Sequence, residues 1–184
     1  VMKNVTGYDL CRGLAGSWGT LAVLCEVTFK VLPKPEETAT LLLFGLSDEI
    51  AVDALTTAMA TPYEVSGAIH IQQPLVGRLW HQGLRDYGQS ITALRLENFS
   101  PSIAYRTGRL TDALNAFGEV STLGQEESMH FRGELRQLSL LHGSEAPLWR
   151  ISTAPLSGPK VVAGIKRYMD VRAFYDWSGG LIWA

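Results

Sequence analysis

Apolar and polar positions change period several times along this chain, and each change marks an element. Val23 to Leu32 runs apolar or alternates, carries β-branched residues, and reads as a buried strand. Pro33-Lys34-Pro35-Glu36-Glu37 then reads as a linker, because its prolines stop the strand and its charges hold the segment in solvent. Ala39 to Leu46 is a second apolar strand. Ser47 offers a helix N-cap with Asp48 and Glu49 in the favourable first turn, and Ile50, Ala51, Ala54, Leu55, Ala58 and Met59 recur at helical spacing. Val65 to Gln72 alternates as a strand, and Ile91 to Phe99 is another. Ser100-Pro101 opens a helix, since proline is tolerated at the first helical position; Ile103, Leu110, Leu114 and Phe117 mark its buried face. A short strand over Glu119 to Leu123 completes the order β-α-β-β-α-β, the split βαβ pattern of ferredoxin-like units.

Four further elements follow a helix over Glu126 to Leu141, whose Phe131, Leu135 and Leu138 share a face. They are a strand over Leu148 to Thr153, a helix capped by Ser157, and two strands near Arg172 to Trp177 and Leu181 to Ala184. Gly179-Gly180 joins the last two as a hairpin-type turn. Alternation would set Tyr175, Trp177 and Gly179 on one strand face, giving an aromatic row for a core or a subunit interface. The chain after residue 36 is therefore α+β with a mostly antiparallel, ferredoxin-like sheet.

Charge and cysteine usage narrow the function classes. Sixteen basic residues against eighteen acidic ones give a net charge of -2, so no strong positive field draws nucleic acid. Apolar runs such as Thr20 to Cys25 and Ala39 to Leu46 are far short of the roughly 20 residues that cross a bilayer. The first residues lack the pattern of a signal peptide. Cys11 and Cys25 are too few and too far apart for a zinc site, and read as two buried thiols in a reducing, cytoplasmic setting. His70, His81, His130 and His142 form no H-x-H or H-x-x-x-H pair, so no metal is expected. Both ends read as cut, as in a fragment of a longer chain. A last strand ending at Ala184 would be an open edge, inviting pairing with a second copy.

The densest local signal lies near the start: Lys3-Asn-Val-Thr-Gly-Tyr-Asp-Leu10, then Gly16-Ser-Trp-Gly-Thr-Leu21, then Glu26-Val-Thr-Phe-Lys-Val-Leu-Pro33. Glycines at 16 and 19 let the backbone approach a ligand closely, and successive N–H groups of such a loop can form an anion-binding concavity. Ser17 and Thr20 add hydroxyl donors. No Gly-Lys-[Ser/Thr] makes it a P-loop, and no G-x-G-x-x-G makes it a dinucleotide fingerprint. Spacing alone leaves ligand binding and a plain tight turn both open.

These three blocks resemble the end of the FAD-binding domain of the vanillyl-alcohol oxidase/PCMH flavoprotein superfamily, and within it the FAD-binding E subunits of bacterial glycolate oxidases. Leu148-Trp-Arg-Ile-Ser152 and Tyr175-Asp-Trp-Ser-Gly-Gly-Leu-Ile-Trp183 agree with that resemblance, which runs over nearly the whole chain. It implies that residues 1–35 are the C-terminal remnant of a PCMH-type FAD-binding domain and that 36–184 form the cap that shapes the substrate site. It places Asn4, Gly7, Tyr8 and Asp9 near the flavin or its phosphates, Gly16, Ser17, Gly19 and Thr20 at the pyrophosphate and flavin edge, and Val23 against the adenine or ribose. Ala22 stands where the family usually carries glycine.

The implied activity is FAD-dependent oxidation of a 2-hydroxy acid, glycolate first, to the 2-oxo acid. The implied partners are a flavin D subunit and an iron–sulfur subunit, with any membrane association arising through them. A carboxylate substrate needs a cation, and Arg95, Arg150 and Arg172 lie on or beside cap strands. The catalytic base is not identified. With half of the flavin site outside the chain, the isolated chain is expected to be inactive and without bound FAD. Three readings stand beside this one: a structural or assembly subunit with a vestigial flavin site, another FAD-linked oxidase such as a D-lactate dehydrogenase or sugar-lactone oxidase, and an unrelated ferredoxin-like binding module.

Overall fold

The computed structural model describes residues 6–143 and 145–184. It divides into two compact units, residues 1–34 and 35–184.

The first unit holds one short helix, α1 (Leu10–Leu14), capped by the Asp9 carboxylate, which accepts the Arg12 N–H at 3.1 Å. The strand expected over Val23 to Leu32 is not formed: the backbone is irregular and Val23 and Val31 are 89% and 79% exposed. An apolar, β-branched run becomes a strand only against another strand, and none of the described residues pairs with it. The two thiols are likewise not buried; Cys11 and Cys25 are both exposed, because α1 buries no residue and this unit encloses no core.

The second unit is built on one seven-stranded sheet. Its strands are β1 (Glu37–Phe44), β2 (Gly67–Ile71), β3 (Ile91–Asn98), β4 (Ser121–Leu123), β5 (Arg150–Ser152), β6 (Phe174–Asp176) and β7 (Leu181–Trp183). They lie in the order β4-β1-β3-β2-β6-β7-β5, and all neighbouring strands are antiparallel. The first four strands carry the ferredoxin-like order, and the last three extend the sheet beyond β2. The helices are α2 (Asp48–Met59), α3 (Gln73–Val76), α4 (Gln82–Tyr87), α5 (Ser100–Leu114), α6 (Gln125–Arg136) and α7 (Gly158–Lys166). The two short helices α3 and α4 fill the β2–β3 connection, which the sequence left without an element.

Alternation along the strands sorts the core into two faces. Leu41, Leu43, Leu94, Leu96 and Ala68 pack under α2 and α5 against Ala54, Leu55, Ile103 and Leu110. Leu42, Ala93, Ile91 and Ile71 point the other way, toward Leu75, Leu84, Phe131 and Phe174. Ser47 caps α2 as expected, its Oγ accepting the Ile50 N–H at 3.4 Å. Ser47→Ala is expected to cost about 1 kcal/mol, read as a lower midpoint in thermal unfolding. Ser157 precedes α7 but makes no side-chain cap bond; a 3-10 turn over Pro155–Ser157 already carries the chain into the helix.

Two expectations about the last strands are corrected. β7 is not an edge: it pairs with β6 on one side and β5 on the other, and Trp149 and Ala184 continue the ladder with reciprocal bonds of 2.8 and 3.0 Å. The open-edge route to self-association therefore falls away. Trp177 is not in a strand row with buried Tyr175; it is 59% exposed and starts a turn in which Trp177, Ser178 and Gly179 are all left-handed, with φ of 49°, 58° and 99°. Among the described residues no helix is long and apolar enough to cross a membrane.

Candidate functional site

The face of the sheet away from α2 and α5 is only partly covered, and a groove of about 590 Å³ opens between it and α6. Antiparallel register sets its floor. Thr40, Arg95 and Gly67 lie in one row across β1, β3 and β2, and Ala93 and Ile69 lie in the next. Phe174 and Asp176 of β6 extend the floor, and the turn after β6 adds Trp177 and Ser178. The opposite wall is one face of α6, where Ser128, Phe131, Arg132, Leu135 and Arg136 recur at three- and four-residue spacing.

Arg95 is the best-anchored cation here. Its Nε donates to Ser66 Oγ at 3.0 Å and its Nη2 to the Ser66 carbonyl at 3.2 Å, while Nη2 also lies 3.1 Å from Glu97. The guanidinium lies across Gly67, where a Cβ would sit 3.7 Å from Nε and 3.8 Å from Cζ. Glu97 also reaches Arg132 Nη1 at 3.3 Å, so one carboxylate ties β3 to α6. Burial lowers the Arg95 pKa from its ordinary value, Glu97 works against that, and the like charge of Arg132 adds to it. Asp176 shifts the other way: burial raises its carboxyl above the usual range, opposed by the Trp177 N–H, which it accepts at 2.7 Å, and by Arg95.

The three sequence-proposed arginines are not brought together. Arg95 lines the groove. Arg150 lies on the edge strand β5, its guanidinium carbon 5.2 Å from the Trp177 ring centroid and 5.9 Å from that of Trp183. Arg172 is exposed and lines a separate shallow depression with Lys166 and Asp170. The groove's other two cations, Arg132 and Arg136, were missed. Their signal was present as arginines four apart on α6, each one residue beyond an apolar member of its buried face, Phe131 and Leu135.

A second polar cluster occupies the helix-covered face. His70 and Tyr175 are fully buried, and Tyr175 donates to Asp48 Oδ2 at 2.6 Å. Gln72 Nε2 donates to the same oxygen, and Lys166 Nζ donates to Gln72 Oε1 at 3.0 Å. His70 Nδ1 bonds Thr92 Oγ1 at 2.9 Å, while its Nε2 lies 3.3 Å from Asp48 Oδ1 without hydrogen-bond alignment. A hydroxyl, an imidazole and a carboxylate thus line up, but Thr92 and His70 have no exposed surface for a substrate to reach. The cluster holds α2, β2, β3, β6 and α7 together. Burial would raise the Asp48 pKa, but the adjacent His70 and hydrogen bonds from Tyr175 and Gln72 outweigh it and hold the carboxyl below its ordinary value. Burial and the facing Asp48 push the Tyr175 phenol far above its own. Of the other histidines, His81 bonds Glu127 at 3.2 Å and His130 stacks on Trp80.

In the first unit, the proposed cofactor residues lie in exposed loop and turn structure. Asn4 lies outside the described residues. Gly7 has φ of 111°, Tyr8 precedes α1, and Asp9 caps it. Gly16 and Gly19 are left-handed at 80° and 75°, and a Cβ at either would meet nothing within 4 Å. Thr20 turns its N–H and hydroxyl back onto the Ser17 carbonyl at 3.0 and 2.6 Å. The hydroxyl of Thr20 is therefore engaged inside the turn. Among the described residues, the N–H groups of Gly16, Trp18 and Gly19 make no bond within it. Val23 is exposed beyond the turn.

No protein-family model matches the chain. Over 186 aligned positions it is 31% identical to glycolate oxidase subunit GlcE of Escherichia coli (strain K12), an alignment that covers 100% of this chain and 42% of GlcE. Over 72 positions it is 35% identical to glycolate oxidase subunit GlcD of Bacillus subtilis (strain 168), covering 39% of this chain and 15% of GlcD. The crystal structure of p-cresol methylhydroxylase with substrate bound superposes with a TM-score of 0.53 at 11% identity, over 83% of this chain and 39% of that one. Along its whole length the chain is similar to part of GlcE, and over most of its residues it shares the fold of p-cresol methylhydroxylase. It spans less than half the length of these relatives.

The Gly16–Thr20 turn is chemically suited to an anion. Open space beside two left-handed glycines and N–H groups outside the turn's own bonds are what an anion requires.

Proposed function

We propose that this chain is part of the FAD-binding subunit of a glycolate oxidase-type complex that oxidises a 2-hydroxy acid to the 2-oxo acid. The observation that carries this reading is the 31% identity to GlcE along the entire chain. Residues 1–35 are assigned to the FAD-binding domain and 36–184 to the cap. Gly7, Tyr8, Asp9, Gly16, Ser17, Gly19, Thr20 and Val23 are the residues we assign to FAD, with backbone N–H groups of the turn on its phosphates. Bound FAD supplies the two-electron acceptor.

The chain's own contribution is placement. In the groove, Arg95 is held by Ser66 and Glu97, and a substrate carboxylate would add to a guanidinium already fixed in direction. Asp176 is the groove carboxylate nearest in kind to a proton acceptor, and burial has already raised its affinity for a proton. The partners we assign are a flavin-bearing D-type subunit and an iron–sulfur subunit, on the cytoplasmic side of any membrane they touch.

The test is anaerobic spectroscopy of the native protein purified with its complex. Bound flavin should be present, and its absorbance near the visible maximum should bleach on addition of a 2-hydroxy acid. A complex in which this polypeptide carries no flavin, or whose flavin does not respond, would overturn the reading and leave an assembly role in its place.

A further inference from the structure

The groove is much larger than a two-carbon acid requires. Its volume of about 590 Å³ falls in the range of roughly 300–1,000 Å³ typical of sites for far larger ligands. Much of its wall is apolar, with Ile69, Phe131, Leu135 and Phe174 contributing side chains from both the sheet and α6. Its charge is nearly balanced. Arg95 and Arg132 share Glu97, and Asp176 faces the same space, so three guanidiniums stand against two carboxylates. Among the described residues Arg136 has no ion-pair partner. One excess positive charge beside a mainly apolar wall matches one carboxylate on an apolar body.

Trp177 gives that body a surface to lie on. Its indole lines the groove yet is 59% exposed, and its backbone sits at φ of 49°, a conformation that L side chains seldom take. The ring is braced from Arg150, whose guanidinium carbon lies 5.2 Å from its centroid. An exposed aromatic held in a costly backbone conformation by a turn and a cation is a preorganised contact.

Resting on the groove as the 2-hydroxy acid site, we propose that its substrate is a 2-hydroxy monocarboxylic acid with a large apolar or aromatic side chain, Trp177 packing on that side chain and Arg136 adding its charge to that of Arg95 in holding the carboxylate. The test is titration of the 184-residue chain with glycolate and with 3-phenyllactate or 2-hydroxyoctanoate, followed by amide chemical shifts of groove residues.

The larger acids should bind at least tenfold more tightly than glycolate, since burying several carbons is worth a decade or more in affinity. Trp177→Asn, in which asparagine tolerates the left-handed backbone, should remove that preference, so that the larger acids bind no more tightly than glycolate. Arg136→Gln should weaken both kinds of acid about tenfold. Glycolate binding in the groove as tightly as the larger acids would overturn this inference while leaving the 2-hydroxy acid reading intact. Failure of every acid to shift groove resonances would overturn both.

Discussion

Gly179→Ala should destabilise residues 35–184 by about 3 kcal/mol or more. Two costs fall on the same atom. The backbone at Gly179 has φ of 99°, where an L side chain is strained, and the new Cβ would sit 2.8 Å from the Pro155 carbonyl oxygen and 2.8 Å from Val52 Cγ2. The carbonyl belongs to a turn whose own bond, Ser157 N–H to the Ala154 carbonyl at 2.9 Å, resists displacement. Nor can the valine move freely, since Val52 is buried on α2. Urea unfolding followed by circular dichroism measures the loss. A variant within about 0.5 kcal/mol of wild type would mean that the turn relaxes and that the fit at Gly179 is not tight.

Asp48→Ala should cost about 2–4 kcal/mol at neutral pH, because it strands the Tyr175 hydroxyl, His70 and Gln72 where water does not reach them well. The sign of its pH dependence follows from the direction of the shift. The folded-state pKa of Asp48 lies below its value in the unfolded chain, so the ionised form favours the fold. That contribution is complete above the ordinary carboxylate range, near pH 4, and fades as pH falls through the lower folded value. The wild-type-minus-variant difference in urea stability should therefore be flat from about pH 5 to 8 and shrink below about pH 4. Tyr175 sets the opposite limb. Its folded pKa is raised, so its contribution is complete below about pH 10 and is lost as pH climbs past that point. A pH-independent difference would show that the Asp48 contacts contribute by packing alone.

What the sequence made legible depended on whether an element's partners were local. β1, α2, β2, β3, α5 and β4 each carry a face that repeats at the period of the element, and each was expected in its place. Ser47 announced its helix because an N-cap is a matter of four consecutive residues. Val23 to Leu32 shows the limit: its apolar, β-branched content was read as burial, yet burial needs an opposing surface that composition does not reveal. The status of β7 was misread for a related reason, since its last residue in the chain suggested an outermost strand while the sheet order places it between two others.

The groove was legible in its pieces but not as a whole. Arg95 was singled out from its strand; Arg132 and Arg136 sit on a helix that reaches the same space only through tertiary packing of Phe131 against the sheet. Asp48, His70 and Tyr175 are separated by 22 or more residues along the chain, and no pattern in the sequence announces that they meet.

The strand order also sets a timetable. β4-β1-β3-β2 is complete once residue 123 has been made, whereas β6, which pairs with β2, begins at Phe174. At roughly 5–20 residues per second a ribosome needs some seconds to cover that interval. Throughout it β2 is an open rim, and the groove lacks Phe174, Asp176 and Trp177. A nascent chain stalled before Phe174 would carry four of the seven paired strands and an incomplete groove. Closure of the rim and creation of the groove are one event, and a fault in the strands from Phe174 onward would abolish binding before it disturbed the bulk of the core.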